Sequence, residues 1–304
     1  MELDKSYAAV IKQRQELFDQ YGDNTLRRLP GSELATKELM EMCVQFLCAR
    51  YPQHFSLDLE RMILHNGILG TDTDLTAVEP LHVLLHNVPE DFAIMIRDPE
   101  TGLYSFRAGM IMSSLGWDLG SKIGLKLHEI HAPIPDYPEK MEFSMDRYFA
   151  KKPTDRAIQR GSWGFEIDQP LYMPPGDPHE KHREHQNPAH TIERCHLRVD
   201  WQTLRRLPLS GAVVFNFKGL FTPVQEFRNE PYIPSLILKV LREGKRNIME
   251  YKSTWHTEHL VIPALEEYER EQVALGLIEK DWEVSTLDEA PFFPSWEEKW
   301  QEGA

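Results

Sequence analysis

A chain of 304 residues, 41% hydrophobic and 27% charged, has the composition of an ordinary globular protein and is long enough to bury a substantial core. Its formal net charge of −14 at pH 7 excludes general binding to nucleic acid or to an anionic membrane, because phosphate would be repelled, and suits a cationic substrate or a basic partner. No run approaches the roughly 18 apolar residues of a spanning helix, Met1-Glu2-Leu3-Asp4-Lys5 lacks the features of a signal peptide, and the three scattered cysteines, Cys43, Cys48 and Cys195, supply neither a disulfide framework nor an iron–sulfur ligand set, so a reducing, cytoplasmic compartment is expected.

The first 65 residues read as helices. Leu39, Met40, Cys43, Val44 and Leu47 form an apolar stripe at helical spacing, with Ser32 upstream as a cap. Leu81-His82-Val83-Leu84-Leu85 suits helix or strand, and Pro89-Glu90-Asp91 breaks it. Phe92 to Ile96 then reads as a strand, Asp98-Pro99-Glu100-Thr101-Gly102 as a turn and Tyr104 to Met112 as a second strand, which together make a hairpin.

Next comes Gly116 to Pro135. Ile123, Leu127 and Ile130 give this segment an apolar helical face, and Pro133 ends the helix at or near His131 by forcing Ala132 out of the α region. A histidine held at such a junction has the fixed direction that a metal ligand needs. A capping histidine at the last carbonyls accounts for the same pattern, and the segment alone favours the cap.

Lys140 to Phe149 reads as another helix. Residues 170–192 are polar and proline-rich, and with no cysteine partner and few apolar neighbours their histidines, His179, His182, His185 and His190, read as a solvated loop rather than a metal site. Two strands follow, His196 to Gln202 and Ala212 to Phe217, then helices over Ile233 to Glu243 and Glu258 to Leu275, and an aromatic, acidic tail. No internal repeat and no boundary between two domains is apparent.

Several chemistries are absent as motifs: no G-x-G-x-x-G, no P-loop, no G-x-S-x-G elbow and no H-E-x-x-H. His256-Thr257-Glu258-His259 is a weak metal signal and reads as a polar helix terminus. Of Glu90 and Asp91, one is expected to be partly buried, and Asp91 on local grounds is a turn or cap residue. Arg198, Arg205 and Arg206 form a basic cluster in an acidic chain. A cofactor with two carboxylates accounts for it, as does pairing with the surplus of Asp and Glu.

In combination the motifs resemble the haem-dependent oxidative N-demethylase α-subunit-like family. The resemblance rests on Pro89-Glu90-Asp91-Phe92, Trp117 with Lys122 and Gly124, Ile130-His131-Ala132-Pro133-Ile134-Pro135, Asp146-Arg147-Tyr148-Phe149, Arg160 with Trp163, and Arg198-Val199-Asp200-Trp201-Gln202-Thr203-Leu204-Arg205-Arg206-Leu207-Pro208. These follow the family's order across about residues 75 to 260. The chain departs from the family pattern at Asp200-Trp201, at Arg160-Gly161-Ser162-Trp163 and in the 170–192 insertion, which bears on the substrate more than on the fold.

The resemblance implies an α+β protein with a PAS-like antiparallel sheet, flanking helices, and helical N- and C-terminal extensions. Residues 1–74 would be the first extension, 75–260 the haem-binding core with the 170–192 insertion, and 261–304 the second extension, all in one compact domain. It implies haem b, with His131 as the ligand to the iron and Lys122, Arg160, Arg198 and Arg205 as candidates for the two propionates. Glu90 or Asp91 would hold a cationic amine, so that oxidative demethylation by O2 releases formaldehyde. Electrons would come from a separate reductase with flavin and an iron–sulfur centre; no nucleic acid or membrane is involved, and a homo-oligomer is left open. The alternatives are a haem-PAS gas or redox sensor without turnover, and a haem-free scaffold in which His131 is only a helix cap.

Overall fold

Tyr7, Ile11 and Arg14 share one helical face, and they are the buried residues of the first helix, α1 (Tyr7–Tyr21), in a computed structural model that describes residues 1, 3–280, 282 and 283. The expected acidic tail lies outside the described residues. The chain continues through β1 (Leu26–Arg28), α2 (Glu33–Arg50), β2 (Phe55–Asp58), β3 (Ile63–Asn66) and β4 (Thr71–Asp74). The expectation that the first 65 residues are all helical is therefore corrected: strands of three or four residues carry too few positions for an alternating pattern to show. Ser32 precedes α2 but does not cap it with its side chain. Its hydroxyl turns back and donates to the Leu29 carbonyl at 2.6 Å.

The ambiguous run at Leu81 is helix α3 (Pro80–Asn87). Pro80 opens it, and the Glu79 side chain accepts from Leu81 N at 2.9 Å. The expected hairpin follows as β5 (Asp91–Arg97) and β6 (Tyr104–Met110). Its turn is held by Asp98, whose carboxylate accepts from Glu100 N and Thr101 N, and by Gly102 at φ +75°. Next come the short turns α4 (Leu119–Lys122), α5 (Leu127–Ile130) and α6 (Tyr137–Lys140), then α7 (Glu142–Lys151), β7 (Ile158–Ile167), β8 (Cys195–Arg206) and β9 (Val213–Pro223). Helices α8 (Ile233–Glu243), α9 (Arg246–Lys252) and α10 (Trp255–Ala274) close the described chain. None of the helices is long and apolar enough to cross a membrane.

The larger sheet has the order β1-β6-β5-β9-β8-β7, and β2-β3-β4 form a second, antiparallel sheet. The chain forms two compact units, one of residues 1–160 and 201–218, the other of 161–200 and 219–304. This is a different partition from the extensions and core expected at 1–74, 75–260 and 261–304.

In the first unit both faces of the sheet are covered. Phe92, Ile94, Ala108, Met110 and Val214 pack with residues of α1, α2 and α3, whereas Met95, Tyr104, Phe106, Val213 and Phe217 pack with Leu119, Leu127 and Phe149. The side chains alternate between faces along β5 and β9, and in β6 a register shift opposite Ile94 and Met95 moves Tyr104 and Phe106 to the face opposite Ala108 and Met110. In the second unit Phe165, Ile167 and Cys195 pack against Val224, Phe227, Leu238, Val261, Leu265 and Tyr268.

Candidate functional site

The histidine segment is not one helix. Gly124 sits at φ +90°, a conformation that favours glycine, and there the chain leaves α4 and runs beside β6. Gly124 N donates to the Phe106 carbonyl at 2.7 Å, Phe106 N donates to Leu125 O at 2.9 Å, and Ser105 and Lys126 form an antiparallel bridge. This corrects the continuous helix expected through Ile123, Leu127 and Ile130. Glu129 then accepts from Lys126 N at 2.7 Å and starts α5, which carries His131 at its C-terminal cap.

His131 Nδ1 lies 2.6 Å from the Leu127 carbonyl oxygen. A carbonyl only accepts, so Nδ1 carries the hydrogen and Nε2 carries the lone pair. No hydrogen-bond partner of Nε2 occurs among the described residues. The ring stacks on Tyr137, with centroids 5.1 Å apart and planes 8° from parallel. Burial is the main influence holding the imidazole pKa below its usual value, and the charges of Arg160 and Lys122 push in the same direction against the Leu127 hydrogen bond. His131 is thus a neutral, oriented imidazole at neutral pH. It does interact with the end of α5, as a capping histidine would, through Nδ1 alone, and that contact leaves Nε2 for another partner.

Lys122 and Arg160 are therefore brought together with His131. The Lys122 ammonium donates to Ile130 O at 3.1 Å, and burial lowers its pKa. Arg160 is exposed. The Tyr137 hydroxyl is buried with no partner among the described residues, and burial, with help from Asp146 and Glu142, raises its pKa to about 12. A buried hydroxyl without a partner on the ring that stacks against an imidazole with an open nitrogen marks an incomplete polar site.

Glu90 and Asp91 are placed with α1 instead. Asp91 is fully buried and accepts from Arg14 Nη1 at 2.6 Å, from Met112 N at 3.0 Å and from the Ser113 hydroxyl. Arg14 Nη2 also donates to the Glu90 carbonyl at 2.8 Å. The Glu90 side chain is buried, with Oε1 3.6 Å from the Met1 amino nitrogen. Arg14 was missed in the sequence, although a charge on the Tyr7–Ile11 face of an amphipathic helix is the signal for a buried partner.

The arginine cluster separates on the strand. Arg205 is exposed, whereas Arg206 donates to Lys152 O at 2.6 Å, to Gly211 O at 2.6 Å, to the Tyr104 hydroxyl at 2.9 Å and to Phe149 O. Arg206 therefore straps α7 to the β8–β9 turn within the first unit. Arg198 belongs to the second unit and is buried. It pairs with Asp200 at 2.9 Å, donates to the Pro170 and Leu171 carbonyls and lies over the Phe221 ring.

These donors fit a haem in outline. The oriented imidazole has an open nitrogen for iron, and two cations act on the same ring and can balance propionates. A family model described as haem-dependent oxidative N-demethylase, alpha subunit-like, matches residues 1–262.

Proposed function

The chain belongs to the haem-dependent oxidative N-demethylase, alpha-subunit-like family, and on that premise we propose that it removes a methyl group from a small methylated amine, releasing it as formaldehyde. Dioxygen and a pair of electrons are consumed, with one oxygen atom leaving in formaldehyde and the other in water. The electrons come from a separate reductase with flavin and an iron–sulfur centre.

The observation that carries this reading is the state of His131. Its Nδ1 hydrogen is committed to Leu127 O and its Nε2 is open, which is the arrangement of an imidazole prepared for a metal. Haem b, when bound, supplies the oxygen chemistry. His131 would hold it through Nε2, with Tyr137 fixing the plane of the imidazole. Lys122 and Arg160 would hold propionates, with Arg205 as a further candidate in the same unit. For the substrate, the oxygens of Asp91 are committed to Arg14, Met112 and Ser113, and the family resemblance supports Glu90, buried beside the Met1 amino group, as the carboxylate for the ammonium. A charge-assisted hydrogen bond of this kind contributes about 1.5–3 kcal/mol and orients the methyl group.

The strand order supports a PAS-like sheet. With β5 to β9 counted as first to fifth, neighbours run second, first, fifth, fourth, third. The three cysteines are unbridged, which supports a reducing, cytoplasmic setting.

The test is turnover. Protein produced with a haem precursor is assayed for oxygen uptake and formaldehyde with methylated amines and a reductase. Formaldehyde in step with oxygen uptake is expected. Haem-loaded protein that binds O2 but gives no product across a panel of amines overturns the demethylase reading in favour of a sensor.

A further inference from the structure

The 170–192 segment, expected from its composition to be a solvated loop, is instead tied down within the second unit. Pro178–Arg183 form a 3-10 helix whose entry is capped by Asp177, which accepts from His179 N at 2.8 Å. This short helix sets His179 and His182 beside Asp168, the residue directly after β7. All three are half-buried, and their ligand atoms lie within 4.8 Å of one another. We propose that Asp168, His179 and His182 form a site for a divalent transition-metal ion, of which Zn2+ is the best match, in addition to any iron held at His131.

The donor set selects the ion. Two imidazoles and one carboxylate suit zinc and its neighbours in the first transition row, and they leave a coordination position open. All-oxygen ions such as Mg2+ and Ca2+ have no use for the imidazoles. Zinc bonds of about 2.0–2.1 Å put neighbouring ligand atoms roughly 3.3 Å apart, so the side chains need to close by about 1.5 Å at most.

Each ligand has a supporting contact. His179 Nε2 lies 2.9 Å from the Ile167 carbonyl oxygen, so it carries the hydrogen and Nδ1 presents the lone pair. Asp168 is held by Arg194, which donates from Nε at 2.9 Å and from Nη2 at 2.6 Å, and its φ of +61° is fixed further by a 2.7 Å bond from its own N to Arg194 O. His182 Nδ1 is 3.0 Å from His190 Nε2. Burial, with the charges of His179 and Arg194, lowers the His182 pKa, so protons compete less for its lone pair.

One contact must change on metal binding. Arg194 Nη1 lies 3.0 Å from His190 Nδ1, which must accept there, so His190 donates from Nε2 and His182 accepts at Nδ1. Ligation through His182 Nε2 reverses this: His182 Nδ1 donates to His190 Nε2, and the hydrogen on His190 passes to its Nδ1. The count of protons is unchanged, and the Arg194 Nη1 contact is given up while the other two bonds to Asp168 remain. Within electrostatic reach of His179, His256 is buried with Nδ1 on Ser253 O and an Nε2 that has no partner among the described residues, an acceptor that a metal-bound water could satisfy.

The test is equilibrium dialysis of the metal-stripped full-length protein against Zn2+, with zinc and protein both quantified. The wild type should bind zinc at this site with one ion per chain. His179→Gln, His182→Gln and Asp168→Asn should each weaken it by about tenfold or more, while His65→Gln, which alters an exposed histidine paired with Asp72, should not. Co2+ in place of Zn2+ should give visible absorption bands of low coordination number, measured on haem-free protein. If a variant does not fold, protection supplies the readout: Zn2+ should slow diethylpyrocarbonate modification of His179 and His182 in the wild type. Unchanged zinc affinity in the folded His179→Gln and His182→Gln variants, or no protection of either histidine, overturns the proposal.

Discussion

The imidazole of His131 and the phenol of Tyr137 lie face to face, 5.1 Å apart and 8° from parallel. The stack fixes the plane of the imidazole, and the Leu127 hydrogen bond fixes its rotation within that plane. Together they leave Nε2 pointing in one direction with its lone pair exposed.

His131→Ala should therefore abolish stoichiometric haem retention while the fold survives. The stack and the carbonyl contact are each worth about 1 kcal/mol, so unfolding should shift by no more than about 2 kcal/mol. The measurement is a pyridine haemochrome assay alongside denaturant unfolding. A normal Soret spectrum in this variant would remove the assignment and move attention to His128.

Tyr137→Phe and Tyr137→Ala should behave differently. Removing a buried, unpartnered hydroxyl relieves a cost of about 1–3 kcal/mol, so haem-free Tyr137→Phe should be as stable as wild type or more so. Tyr137→Ala loses the ring and should be destabilised. If Tyr137→Phe keeps its stability but loses turnover or haem affinity, the hydroxyl meets a bound group. A loss of apo-protein stability in Tyr137→Phe contradicts its orphaned state.

The lowered pKa of His131 gives a pH dependence with a definite sign. An unfolded imidazole titrates near about 6.5, and the folded one titrates lower. The folded state therefore binds fewer protons in this window, and stability rises with pH there. The contribution is complete above the unfolded pKa and is lost as pH falls through the folded one. Unfolding of haem-free wild type and His131→Asn at pH 7.5 and 5.5 should show the wild type losing more. Equal losses would mean that His131 is not held neutral.

Asp91→Asn should act on stability and Glu90→Gln on substrate. Breaking a buried ion pair by removing one charge costs about 3–5 kcal/mol, because Arg14 would remain buried without its partner. Its folded fraction should keep the wild-type KM. Glu90→Gln should raise KM for the amine with haem retained. If the effects are exchanged, the amine is held by Asp91.

Arg205 and Arg206 are adjacent in sequence and opposite in consequence. Arg206→Ala should strongly destabilise the chain, since four acceptors lose their donor. Arg205→Ala should change stability by no more than about 0.5 kcal/mol. A faster haem dissociation in Arg205→Ala would mark a propionate contact, and an unchanged rate would leave Lys122 and Arg160 in that role.

How much of this was legible depends on where each signal resides. Ile233–Glu243 was readable to the residue, because a long apolar periodicity ends at Gly244. The β5–β6 hairpin was readable because Asp98 and Gly102 are strong turn residues. Thr71-Asp72-Thr73-Asp74 was not, since its strand character comes from pairing with β3 rather than from its own side chains. The histidine segment gave away His131 and its C-terminal stop, but Gly124 looked like one more residue of a helix. The choice between Arg205 and Arg206 was invisible for a different reason: adjacent strand residues face opposite ways, and only register tells which one is buried.

The short turn α5 has a further consequence. A helix of four residues is below the length at which helices acquire cooperative stiffness, so α5 cannot hold His131 still by itself. Its steadiness is borrowed from the hydrogen bonds that tie Gly124 and Leu125 to Phe106 of β6. The lifetime of a ligand on His131 is then set partly by the pairing of Gly124 and Leu125 with β6. A variant that loosens this pairing without altering the histidine should show faster amide exchange at Gly124 and Phe106 together with faster haem release, which makes the pairing the place where turnover and fold stability trade against each other.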